Sequence, residues 1–259
     1  MAVKPLNNLK SAKSSKPVAK KKTSGASRFK VRFSKFIKFV KYAALIFFIL
    51  SIFSVIFFRF VNPPFTPLMV IRAVQMKFDG KEMKIDKTWK PIEEISPKII
   101  IAIMTSEDQN FKEHFGFDFK AIQKAAAHNA KENVRVVKGA STISQQTAKN
   151  VFLWPHRDWV RKGLEAYFTL LIEVFWSKER IMEVYLNVIE FGNGVYGIEA
   201  ASEYYYHKPA KDLTNAEAAA IAAVVPAPRK WSPIKKSPKV ARHSQWILNN
   251  MGKTGPVKF

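Results

Sequence analysis

The sequence predicts a mostly α fold preceded by one transmembrane helix, and three observations carry that expectation. A run of seventeen residues without a charge, Tyr42 to Phe58, lies between Lys38 and Lys41 on one side and Arg59 on the other. Beyond it, N-capping residues stand before stretches with helical apolar spacing, and no long alternating pattern of strand type occurs. The 259 residues are 47% hydrophobic and 13% aromatic, enough for one compact core and too much for a disordered polymer.

Taken in order, residues 1–37 read as a disordered basic tail. Residues 1–41 hold 13 Lys and Arg and no acid, the first acid being Asp79. The span is expected over residues 38–61, where long basic side chains at either end can snorkel. Asn62-Pro63-Pro64 then ends the helix, without the small-residue pattern of a signal-peptide cleavage site. The positive-inside rule places the tail in the cytoplasm and residues 62–259 outside it, as a periplasmic domain on an inner-membrane anchor. With no cysteine, disulfides, thiolate metal sites and a cysteine nucleophile are excluded.

Within the exported part, Ser96-Pro97 caps and opens an apolar helix that runs to Glu107-Asp108. Phe119 to Asn129 reads as a second helix and Thr142 to Val151 as a third. Asp158 caps a long amphipathic segment ending near Trp176, and Ser177 starts another through Asn187. Thr214 to Val225 is an alanine-rich buried helix, and a last one covers Pro238 to Met251. Phe78–Lys84 is the stretch expected to pair as a short hairpin.

Several clusters are more particular than packing requires. Glu107 and Asp108 emerge from a buried helix end, followed by Phe111, His114 and Asp118. Burial and the C-terminal helix dipole would raise the pKa of Glu107 toward that of a general base; the competing reading is a solvated acidic pair. Ser141 and Thr142 lie at a helix N-terminus, where free N–H groups suit an anion or serve a plain cap. Gln146 and Lys149 follow on roughly the same face. Arg161 lies four residues before Glu165 and Lys162 three before it, a spacing that fits a surface pair or a phosphate-facing group. His114 is expected to be structural, bonding Asp118 or backbone, and without a second histidine nearby a zinc site is not expected. Asn187 reads as a buried hydrogen-bonding residue that positions the site. Trp154 and Trp159 suit either the lipid headgroup region or the core. Ser232-x-x-Lys235 and Lys253-Thr254-Gly255 mimic two penicillin-binding motifs, but too little chain lies between them to build that fold.

Taken together and in order, Glu107-Asp108-Gln109-Asn110-Phe111, Gly139-Ala140-Ser141-Thr142-Ile143-Ser144-Gln145-Gln146 with Lys149-Asn150, Arg161-Lys162-Gly163-Leu164-Glu165, and Lys178-Glu179-Arg180-Ile181 running into Tyr185-Leu186-Asn187 resemble the motifs of family 51 glycosyltransferases, the peptidoglycan glycosyltransferases. The resemblance covers about Pro67 to Met251 and is to monofunctional members. It implies a lysozyme-like helical glycosyltransferase domain with a small membrane-facing lobe. It also implies polymerisation of lipid II with release of undecaprenyl pyrophosphate. It places the catalytic base at Glu107, a site-organising glutamate at Glu165, and pyrophosphate contacts at Lys149 and Arg157. The remaining substrate-side positions are Asp108, Phe111, His114, Ser141, Thr142, Gln146, Asn150, Arg161, Lys162 and Asn187. The fifth motif survives only in outline, with Arg229 as its basic residue. No cofactor is implied, with room for stimulation by a divalent metal.

The formal charge of +23 first suggests nucleic acid, a membrane face or a phosphorylated ligand. Residues 42–259 carry only +10, so the partners expected are lipid II, the growing glycan chain, anionic membrane lipids and cell-wall synthesis proteins, not nucleic acid. Two other readings compete. A lysozyme-like hydrolase would use Glu107 on water, but needs neither anchor nor phosphate-facing cations. A membrane-tethered, non-enzymatic binding protein explains the tail but not the clusters around Glu107, Ser141 and Arg161.

Overall fold

The computed structural model describes residues 1, 25–131, 139–156, 158–255 and 259. The chain divides into two compact units, Met1–Ile49 and Leu50–Phe259. Helix α1 (Gly25–Phe60) runs through the division, and its Arg32–Phe60 portion is long and apolar enough to cross a membrane. The helix begins earlier than expected, so residues 25–37 are helical instead of disordered. Extending an existing helix through Lys, Arg and Phe costs little once its first turns are formed. The rest of the expected tail, residues 2–24, lies outside the described residues.

Within the second unit, the end of α1 is tied down by side chains. Trp176 Nε1 donates to the Val55 carbonyl at 2.7 Å, and Arg180 donates through Nη2 to the carbonyls of Phe58 (2.9 Å) and Val61 (3.2 Å). Helix α2 (Pro67–Phe78) follows, capped by Thr66 with proline at its start, and buries Met69, Ala73 and Met76 on one face. That face replaces the hairpin expected at Phe78–Lys84: the i, i+4, i+7 apolar spacing continues the helix to Phe78. The strand β1 appears only at Asp86–Lys87.

The capped helices stand where capping chemistry puts them. They are α3 (Pro97–Glu107), α4 (Phe119–Asn129), α5 (Ile143–Phe152), α6 (Trp159–Phe175) and α7 (Lys178–Val188). In each, the side chain of Ser96, Asp118, Thr142, Asp158 or Ser177 accepts a backbone N–H of the first turn. Besides α2, a pair of short strands and a later helix were not expected. Strands β2 (Glu190–Gly192) and β3 (Val195–Tyr196) form a tight hairpin, and β1 joins β3 in parallel, Asp86 opposite Val195. Helix α8 (Ile198–Tyr206) then starts after Gly197, whose φ of 81° and 2.9 Å Cβ approach to the Asn187 carbonyl demand glycine. Last come α9 (Asn215–Val224) and α10 (Pro238–Asn250). The alanine-rich α9 is the centre of the core: Ala218 to Val224 are fully buried, with α3 and α10 packed against it. Small side chains allow that close approach. Helix α5 packs between α6 and α7, and these two groups set the walls from which the polar residues project.

Candidate active site

Glu107 is the last residue of α3, half-buried, with its carboxylate fixed by side chains from two other helices. Gln146 Nε2 donates to Glu107 Oε2 at 2.9 Å, and Tyr185 Oη donates to Gln146 Oε1 at 3.2 Å. Burial pushes the Glu107 carboxyl above its ordinary value; the Gln146 and Ser106 hydrogen bonds, then the charges of His243 and Lys149, pull it partly back. The carboxylate faces a cavity of about 380 Å³ whose wall includes Asp108, Ser141, Thr142 and Trp246.

Asp108 is buried beside it and has a different task. Its Oδ2 accepts the Ile143 N–H at 3.0 Å, and both its oxygens lie 2.9 Å from His114 Nε2. The expected partner of His114, Asp118, instead accepts from Asn110 at 2.8 Å and from the Ala121 N–H at 2.8 Å. The non-helical turns after Asp108 fold His114 back over that residue, which sequence spacing does not reveal. Thr142 forms a full capping box with Gln145 and donates its hydroxyl to the Gly116 carbonyl at 2.7 Å. The start of α5 therefore uses its Ile143 N–H on the Asp108 carboxylate and its Gln145 N–H on the Thr142 hydroxyl oxygen; the capping reading describes this terminus. Replacing Asp108 with Asn removes a buried, charge-assisted acceptor, and we expect a loss of about 1.5–3 kcal/mol, read as a lower Tm.

A second, larger cavity of about 930 Å³ adjoins the first, and Gly139 and Ser141 line both. Its polar wall comes from α5 and α6: Lys149 and Asn150, then Arg161, Lys162 and Glu165. Arg161 Nη1 donates to Glu165 Oε2 at 2.6 Å, and Lys162 Nζ pairs with the other oxygen. Glu165 is buried and Arg161 nearly so, whereas the Lys162 side chain is 42% exposed. A surface pair is thereby excluded. Burial pulls the Lys149 ammonium pKa down, Glu165 opposes this, and Arg161 and Lys162 add to it. The result is a cationic wall with one carboxylate serving three positive groups.

Some expected residues stand elsewhere. Asn187 is fully buried and holds the segment at Lys90, accepting its N–H and donating to its carbonyl, both at 2.8 Å. Phe111 is a buried floor under His114, with Lys178 Nζ 4.7 Å above its ring. Neither lines either of these two cavities. Arg157 lies outside the described residues. Arg229 is exposed, although Pro226 and Pro228 beside it line the larger cavity. Trp154 is half-buried and donates to Asp158 Oδ2 at 3.0 Å, whereas Trp159 is almost fully exposed, so the two tryptophans divide between packing and surface. Sequence reasoning missed Glu173, which is buried, accepts from Ser144 Oγ at 2.5 Å and pairs with Lys178 at 2.8 Å. Lys178 also donates to the His114 carbonyl at 2.6 Å, locking the turn that carries Asp108. The cap at Ser177 hides that signal, because Glu173 and Lys178 flank a helix break and have no helical spacing.

A half-buried carboxylate beside one cavity and a cationic wall in the next bring a proton-accepting group and an anion-binding surface into one site. The family model described as "Transglycosylase" matches residues 75–252, and the chain belongs to that family of glycosyltransferases. It is 54% identical over 212 residues to the biosynthetic peptidoglycan transglycosylase of Bdellovibrio bacteriovorus, covering 82% of this chain and 84% of that protein. It is 53% identical over 194 residues to the protein of the same name from Caulobacter vibrioides, covering 75% and 81%. The corresponding protein of Pseudomonas putida is 49% identical over 209 residues, covering 81% and 88%.

Proposed function

We propose that this chain is a peptidoglycan transglycosylase that polymerises lipid II into glycan strands and releases undecaprenyl pyrophosphate. The observation that carries this reading is the junction of the two cavities at Ser141, with the raised carboxylate of Glu107 on one side and Lys149, Arg161 and Lys162 on the other. In the smaller cavity, Glu107 takes the proton of the attacking sugar hydroxyl, held in place by Gln146. The hydroxyl oxygen bonds to the anomeric carbon, and the bond from that carbon to the pyrophosphate oxygen breaks. The electron pair leaves on the diphosphate, whose developing charge meets the cationic wall. Glu165 keeps Arg161 and Lys162 oriented toward it. Asp108, His114, Phe111 and Asn187 hold the frame, and Ser141 and Asn150 offer hydrogen bonds at the junction. No step needs a bound metal or cofactor.

The apolar helix anchors the domain to the membrane that carries the substrate. Its basic flank supports a cytoplasmic N-terminus and a periplasmic catalytic unit on the inner membrane, with the tail against anionic headgroups. Other cell-wall synthesis proteins are expected neighbours in that compartment. Purified full-length protein in detergent, given lipid II, is expected to yield glycan polymer and the free lipid pyrophosphate. Shortening of pre-formed glycan without use of lipid II would establish the hydrolase instead, with water in place of the sugar hydroxyl.

A further inference from the structure

The larger cavity has a second polar wall that the proposed chemistry leaves unused. Helix α2 contributes Arg72 to it and strand β2 contributes Glu190. Glu190 is only 8% exposed, and its Oε2 lies 3.9 Å from Arg72 Nε, too far for a hydrogen bond. Arg72 Nε and Glu190 Oε1 are both buried without a hydrogen-bond partner among the described residues, and so is the hydroxyl of Tyr196, which stands opposite Glu190 on β3. Arg72 spends its Nη1 on Gln75 at 2.9 Å. Buried polar atoms are nearly always paired, and Arg72 and Glu190, which carry two of these unpaired ones, line the larger cavity.

The chemistry of that occupant can be narrowed. A guanidinium only donates and a carboxylate only accepts, so the group between them must do both. A phosphate or carboxylate fits Arg72 but is repelled by Glu190. A trans secondary amide presents its N–H and C=O on opposite edges and cannot serve both from one side. A hydroxyl accepts and donates through one oxygen, and an oxygen about 2.8 Å from each can bridge Arg72 Nε and Glu190 Oε2, which lie 3.9 Å apart. We propose that Arg72 and Glu190 form a subsite that grips a sugar hydroxyl of the glycan lying in the larger cavity; this rests on the polymerase reading and adds a substrate-binding pair to it. Burial pushes the Glu190 carboxyl up, and the charges of Arg72 and then Arg229, with a hydrogen bond from the Gly194 backbone, pull it back, so a hydroxyl donor meets a poorly solvated acceptor.

The test uses full-length protein and two variants, the near-isosteric Glu190→Gln and Arg72→Met, which puts an apolar carbon where Nε stands, with the double variant. With lipid II, each single variant is expected to lose about tenfold in kcat/KM, with the loss in KM, and to make shorter chains. The double variant is expected to lose little more than either single one, because both changes remove the same contact. Binding of a soluble tetrasaccharide of alternating N-acetylglucosamine and N-acetylmuramic acid, followed by calorimetry, is expected to weaken about tenfold in each variant. This second readout needs no turnover. If wild type makes no polymer, the polymerase reading fails while tetrasaccharide binding still decides the subsite. The Arg72 side chain is a quarter exposed, so Arg72→Met keeps a readable variant even if Glu190→Gln unfolds. Wild-type KM and tetrasaccharide affinity in a folded Arg72→Met protein would overturn the proposal, as would strictly additive losses.

Discussion

Glu107→Gln is expected to lower the rate of lipid II consumption by about a hundred- to ten-thousand-fold while leaving the fold intact, because it removes the proton acceptor and nothing else. Glutamine keeps the shape and can still hydrogen-bond Gln146 and Ser106, the two side chains that hold the native carboxylate. The stability change has a definite sign. Burial raises the Glu107 carboxyl in the folded state, so the folded protein holds that proton more tightly than the unfolded chain. Stability is then lost as pH rises from the ordinary glutamate value through the raised one. Above that window the variant carries no such cost, so its Tm at neutral pH is expected to equal or exceed wild type. Below the ordinary carboxylate range the gain vanishes. The same shift sets the acid limb of the wild-type profile: kcat/KM should rise with pH through a value above that of a free glutamate. Wild-type turnover in the variant, with an unchanged acid limb, would remove Glu107 from the chemistry.

Much of this arrangement could be read before the fold was known, and the reason is local. Ser96, Asp118, Thr142, Asp158, Ser177, Thr214 and Ser237 each bond the first turn of the helix that follows, so the beginnings of seven helices were written in single residues. Helix α8 lacked any side-chain cap, since it starts from Gly197 against the Asn187 backbone, and was invisible for that reason. The strands were too short to alternate, and β1 pairs with a segment about a hundred residues away. The site divides in the same way. Arg161 and Glu165 are linked by helical spacing, and their pairing was legible; their burial was not, because it depends on α5 packing over α6. His114 had two carboxylates at similar sequence distance, and only the path of the turn chose Asp108 over Asp118. Arg72 and Glu190 meet only in the folded chain, so no spacing rule could join them.

Glu165→Gln is expected to have the largest effect on stability. Arg161 is nearly buried and its Nη1 relies on Glu165 at 2.6 Å; its Nε has no partner among the described residues. Removing the negative charge leaves that guanidinium unpaired in a poorly solvated site, which typically costs about 3–5 kcal/mol. The more exposed Lys162 can turn to water, so the penalty falls mainly on Arg161. Lys149 reports the same loss through its proton. Burial already pulls its pKa down and Glu165 is the chief group holding it up. Without Glu165 the ammonium gives up its proton at lower pH, so the alkaline fall in kcat/KM should move to lower pH, measured with lipid II in buffers of matched ionic strength. A companion variant separates architecture from catalysis. Arg161→Met combined with Glu165→Leu replaces the buried pair by apolar side chains of similar size, which is often neutral or stabilising. Its Tm should therefore recover toward wild type. Turnover should stay low, because the cationic wall that faces the departing diphosphate has lost Arg161 and the group that orients Lys162. Recovery of both Tm and turnover would reduce the Arg161–Glu165 pair to a structural brace and leave Lys149 and Lys162 as the cations of that wall on which the reaction relies.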